Sequence, residues 1–141
     1  MNPQQTDLIR RSFALVAPMA DEAAALFYRK LFEQSPELKP LFIGDLRRQG
    51  RKLMDMIGAA VKLLDRPESL VPVLAQLGAR HAGYGVQAGD YRSVGLALMD
   101  TLEEGLGADF DDATREAWGA MYALVSTTMM AAASGSTRDA A

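Results

Sequence analysis

The chain has no cysteine and a single histidine among its 141 residues. The first absence excludes disulfides and thiol nucleophiles. The two together exclude an ordinary structural zinc site, which takes several such ligands. Neither sign of charge dominates. Fifteen Lys and Arg against 18 Asp and Glu leave a net charge of −3. These charges are scattered, which excludes the basic footprint of a nucleic-acid binder. No apolar run approaches the ~18 residues of a membrane span, and Met1–Asp7 lacks the basic-then-apolar pattern of a signal peptide. Period-2 runs of β-branched residues and Asn-Gly or Asp-Gly turns are missing too, which argues against sheet. With 49% hydrophobic residues, the expectation is one soluble, cytoplasmic, all-α domain with a sizeable core.

What is present is helical periodicity broken by proline, glycine and capping residues. Asn2 with Pro3 starts a first helix through Leu8, Phe13 and Val16, disturbed at Pro18. A second helix covers about 20–34. Ser35-Pro36-Glu37 opens a short helix cut by Pro40. Gly44-Asp45 leads into a longer one to about Leu64, and Asp65-Arg66-Pro67 separates it from the helix carrying His81. Gly83, Gly85 and Gly89 mark a turn before a helix from about Asp90 to Leu106. Asp111 or Asp112 caps the last helix, with Trp118, Met121, Tyr122, Val125 and Met129 on one side. The domain is expected over residues 1–133, with a frayed, disordered tail at 134–141.

Three helices each carry one polar residue inside an apolar stripe. Leu70, Leu74, Leu77, His81 and Tyr84 share a helical face. So do Leu46, Gln49, Leu53, Met56, Ala60 and Leu63, and so do Ala24, Tyr28, Leu31 and Phe32. A buried hydroxyl or amide without a partner costs roughly 1–3 kcal/mol. These groups therefore meet backbone or each other, or they line a polar event in a cavity. A lone imidazole also suits a cofactor that brings most of its own ligands, and haem is one.

The residues resemble those of the globins, most closely bacterial single-domain globins and the haem domain of flavohaemoglobins. The likeness runs from about Asp7 to Met130. Its anchors include Leu-Phe-Tyr-Arg-Lys-Leu-Phe (26–32), Pro-Glu-Leu-Lys-Pro-Leu-Phe (36–42), Gln-Gly-Arg-Lys-Leu-Met (49–54), Leu-Gly-Ala-Arg-His (77–81) and Glu-Ala-Trp-Gly-Ala-Met-Tyr (116–122). The resemblance implies a globin fold of about seven to eight helices around a haem b pocket. It implies His81 as the iron ligand and Phe42 against the haem ring. Tyr28 and Gln49 match the distal positions that donate to O2, and Leu53 the apolar residue above the iron. Val86 and Val94 match haem-edge positions, and Lys52 a basic residue near a propionate. Met56 and Leu77, on the faces of Gln49 and His81, are assigned to the lining with them.

One departure concerns the proximal side. Flavohaemoglobins pair their histidine with a tyrosine and a glutamate. Tyr91 fits the tyrosine, but the stretch near 135 reads Ala-Ala-Ala-Ser-Gly-Ser-Thr. These residues contain no flavin reductase domain, and no Cys-x-x-Cys-His motif exists for covalent haem attachment. The resemblance thus implies binding of O2, CO and NO, with NO dioxygenation served by a separate reductase. The alternatives are a gas sensor or carrier without turnover, a haem-free globin-fold interaction module, or an unrelated helical protein.

Overall fold

A computed structural model describes the backbone of residues 1–140 and the side chains of residues 1–133. The frayed tail expected at 134–141 lies outside the residues described in full. Among the described residues there are six α-helices and no strand: α1 Pro3–Val16, α2 Ala20–Gln34, α3 Leu46–Lys62, α4 Pro67–Gly83, α5 Ala88–Leu106 and α6 Asp112–Ala140. The expected seven to eight helices become six because prolines confine the shorter pieces to 3-10 geometry. Ala17–Met19 contains Pro18, and Pro36–Leu41 contains Pro36 and Pro40. Proline lacks the N–H that an α-helical turn requires.

Local chemistry sets the helix starts. The Asn2 side chain accepts from the Gln5 N–H at 2.8 Å, and Gln5 reaches back to the Asn2 N–H. Asp45 accepts from the Arg47 N–H at 3.0 Å, and Asp111 from the Thr114 N–H at 2.8 Å. Helix α5 starts at Ala88, two residues earlier than expected, because Gln87 and Asp90 form a reciprocal capping box. Ser35 occupies a cap position but makes no side-chain cap bond.

Helix α4 lies along α6, α2 along α5, and α1 against α6 and α3. Close approach needs glycine at the crossings. A Cβ on Gly50 would sit 2.9 Å from the Ala24 Cβ and 3.6 Å from Tyr28 Cε2, so α3 crosses directly over α2. The core centres on Trp118, Ile9, Leu31, Leu70 and Leu74, all nearly solvent-free. The Trp118 indole donates to Ser12 Oγ at 2.8 Å, tying α6 to α1, while Ser12 Oγ donates to the Leu8 carbonyl. Ser12→Ala would leave that buried N–H unpaired. The expected loss is about 1–3 kcal/mol, read from urea unfolding. A variant as stable as the parent would show that the indole finds another acceptor.

Candidate functional site

His81 ends α4. Its Nδ1 donates to the Leu77 carbonyl at 2.8 Å, one turn back on the same helix. That contact fixes the ring on its own helix and leaves Nε2 with its lone pair. Nε2 has no hydrogen-bond partner among the described residues, and the side chain is half-buried. Gly85 then turns the chain at φ 88°, a conformation that glycine adopts without strain. A Cβ there would approach Leu41 Cδ2 at 3.9 Å. The turn after α4 therefore meets the 3-10 segment before Phe42.

The remaining candidates fall into two apolar clusters. Tyr28, Phe42, Leu53 and Val94 pack together with Phe27, Leu38 and Ala97. Leu77, Val86 and Tyr91 belong to the main core. Leu98 packs against both. The Phe42 ring lies 5.4 Å from the rings of both Tyr28 and Phe32, edge-on to each. Phe27, Leu98 and Leu41 escaped selection from sequence. Leu98 lies one helical turn beyond Val94, and that spacing is the signal that could have found it.

Tyr28 is buried, and burial pushes its phenol up to about 12. It stays protonated through neutral pH as a donor. Its hydroxyl makes no hydrogen bond to another described residue. The Tyr91 hydroxyl is fully enclosed and also unpartnered. Burial raises its pKa, with the Asp90 carboxylate adding to the effect. The neighbouring Tyr122 hydroxyl donates to the Tyr91 carbonyl instead, at 2.5 Å.

Some candidates are placed differently from the stripe pattern. Gln49 is half-buried, but its Nε2 donates to the Ile43 carbonyl at 2.5 Å, which engages part of the amide in the loop before α3. Tyr84 leaves the His81 stripe and is 70% exposed. Helix α4 stops at Gly83, so the helical step no longer applies to it. Met56 is half-buried outside both clusters. Lys52 is exposed and makes no ion pair among the described residues. The position near 135, where flavohaemoglobins carry the glutamate, lies outside the described side chains.

A flat apolar cofactor with one metal-binding face fits this donor set. One imidazole nitrogen is open, the Tyr28 and Tyr91 phenols lack acceptors among the described residues, and the half-buried Phe42, Leu53 and Val94 lie on the segment before α3, on α3 and on α5. Comparison with known proteins agrees with the geometry. Residues 25–129 match the sequence model of the globin family. The flavohemoprotein of Bacillus cereus is 28% identical over 128 residues, covering 89% of this chain and 31% of that protein. The flavohemoprotein of Chromobacterium violaceum is 28% identical over 143 residues, covering 99% of this chain and 35% of that protein. The chain thus spans about a third of the length of these relatives.

Proposed function

We propose, because the chain belongs to the globin family and is therefore a gas-binding haem protein, that His81 holds the iron and that Tyr28 and Gln49 retain O2 on the opposite side. The observation that carries this reading is the His81 ring, held through Nδ1 with Nε2 free. His81 would hold the haem through Nε2, and the bound group would supply the iron chemistry that takes O2, CO or NO. The relatives' name supports haem alone; NO dioxygenation is the activity that the globin resemblance implies. In that reaction NO, O2 and one electron give nitrate, so turnover requires a reductase to supply the electron. Val86, Val94, Phe42 and Leu53 supply the apolar contact that excludes water. Met56 and Leu77 extend that lining, and Lys52 is offered to a propionate from the surface.

Absorption spectra of the purified ferric, ferrous and CO-treated protein test the reading directly. A protein that takes up no haem, or one whose ferrous form ignores CO, overturns it.

The distal pair gives a graded prediction. Tyr28→Phe keeps the ring and removes only the donor. If the lost bond contributes about 1 kcal/mol, O2 release quickens roughly fivefold. Low local dielectric enlarges that effect. Gln49→Leu acts in the same direction but less strongly, because Ile43 already holds part of the amide. Stopped-flow dissociation on both variants and the double measures this, and the two effects need not add. Parent-like O2 release from Tyr28→Phe and from the double variant would assign both residues to structure alone.

A further inference from the structure

Most of the chain mixes its charges, but α3 does not. It carries Arg47, Arg48, Arg51, Lys52 and Lys62 against Asp55 alone. Five cations and one carboxylate give this helix a net +4 inside a chain of net −3. All six side chains are exposed. At the helical step they fall within an arc of about 140°, and from Arg47 to Lys62 the row runs about 22 Å. The other side of α3 enters the core through Ala60 and Val61, with Met54 and Ile57 packed against them. None of the five cations makes an ion pair or a side-chain hydrogen bond among the described residues.

An apolar side chain projects beside this row. Ile43 is 83% exposed, the highest value among the described large apolar residues. The local backbone holds it there. Gly44 turns the chain at φ 93°, Asp45 caps α3, and the Gln49 amide grips the Ile43 carbonyl. Leu46, at the start of α3, is exposed as well. An isoleucine presented this way gains free energy only by leaving water.

The arrangement of charge selects the partner. A protein would have to bury the cations at the middle of its interface, where charged side chains are depleted. An anionic bilayer takes cations among its headgroups and an apolar side chain slightly deeper, with no demand for a matching shape. We propose that the exposed face of α3 docks on an anionic membrane surface, with Arg47, Arg48, Arg51 and Lys62 at the lipid headgroups and Ile43 inserted beside them. Lys52, assigned above to a propionate, is not needed. One isoleucine is a weak anchor, so attachment is reversible and falls with salt. The gas-binding reading gives docking a use. O2 and NO are apolar and concentrate in lipid, and α3 also brings Leu53 to the Tyr28 cluster.

The test uses the full chain and co-sedimentation with vesicles. The parent should bind vesicles of equal phosphatidylcholine and phosphatidylglycerol, ignore pure phosphatidylcholine, and be released by added salt. Each cation at the surface contributes roughly fivefold, so Arg48→Gln combined with Arg51→Gln should weaken binding roughly 25-fold. Arg80→Gln combined with Arg92→Gln removes the same charge from exposed positions on α4 and α5, and should bind like the parent. Ile43→Ser should weaken vesicle binding roughly tenfold and leave binding to double-stranded DNA as it was. Emission from Ile43→Trp should shift to the blue on anionic vesicles, while Trp118, 1% exposed, does not respond. Equal binding to both vesicle types, or none to the anionic ones, overturns the proposal. So does an equal loss in the α4 and α5 control, which would mean that total charge alone is sensed. Parent-like vesicle binding by Ile43→Ser, with DNA held as tightly, overturns the membrane in favour of any polyanion. Vesicle binding by a chain that takes up no haem keeps the docking face and overturns the gas-binding reading alone.

Discussion

His81→Ala is expected to abolish haem retention. No second histidine exists to replace the ligand, and no cysteine either. Among the described residues, no group of three or more His, Cys, Asp or Glu could hold a metal ion instead. The loss is therefore all-or-none rather than graded. Added imidazole should restore the spectrum of the CO form by filling the vacated position. The alanine variant keeps its helix, because the ring bonds only to Leu77 within α4. Far-UV circular dichroism separates loss of the ligand from loss of the fold. Full haem content and an unchanged CO spectrum in this variant would remove His81 from the iron. The same bond predicts the ligand's character. A neutral carbonyl accepts the Nδ1–H, so the ferrous iron–histidine stretch should fall at the low, neutral-imidazole end. A frequency typical of imidazolate would require an anionic acceptor beside the ring.

Gly78→Ala is expected to carry the largest stability cost of the glycine-to-alanine changes among the described residues. A Cβ at Gly78 would overlap the Met129 carbonyl oxygen and lie 2.6 Å from Met129 Cα. These are backbone atoms of α6, which cannot rotate away as a side-chain tip does. The helices must move apart, which disturbs Leu74 and Met129 in the core. The loss should reach or exceed about 3 kcal/mol, the upper end for overpacking. Gly83→Ala is the contrasting case in the same helix. A Cβ there meets nothing within 4 Å, and alanine is the better helix former by up to about 1 kcal/mol. That variant should match the parent or exceed it slightly. Fluorescence of Trp118, the chain's single tryptophan and 1% exposed, reports both urea transitions. Equal midpoints for Gly78→Ala and the parent would mean that α4 and α6 separate freely.

Helix starts were legible because caps are local: Asn2, Asp45 and Asp111 bond to amides two or three residues on. The stripe containing Tyr28 was legible for the same reason, since burial of one helical face follows from its period. Tyr84 was misread because periodicity carries past a helix end, while the side chain follows the backbone that turns at Gly85. The Gln49 contact was hidden because its acceptor, the Ile43 carbonyl, belongs to an irregular loop with no period to read. Gly78 looked like any helical glycine. Its meaning depends on Met129, far along the chain, and no local pattern announces such a crossing. The three apolar stripes pointed to the helices that carry the candidate residues. They did not reveal that Leu98 would join its two clusters.

The backbone of His81 has a consequence of its own. Its carbonyl accepts the N–H of Tyr84 at 3.0 Å and of Val86 at 3.1 Å. The residue that presents the imidazole therefore also latches the end of its helix. For the Val86 amide to trade hydrogen for deuterium, that latch must open. Gln87, one residue on, is protected separately by the Asp90 carboxylate at 2.8 Å. Isotope uptake at Val86, set against Gln87, thus gives a mechanical record of how often the His81 end of α4 unfastens, readable without any optical signal.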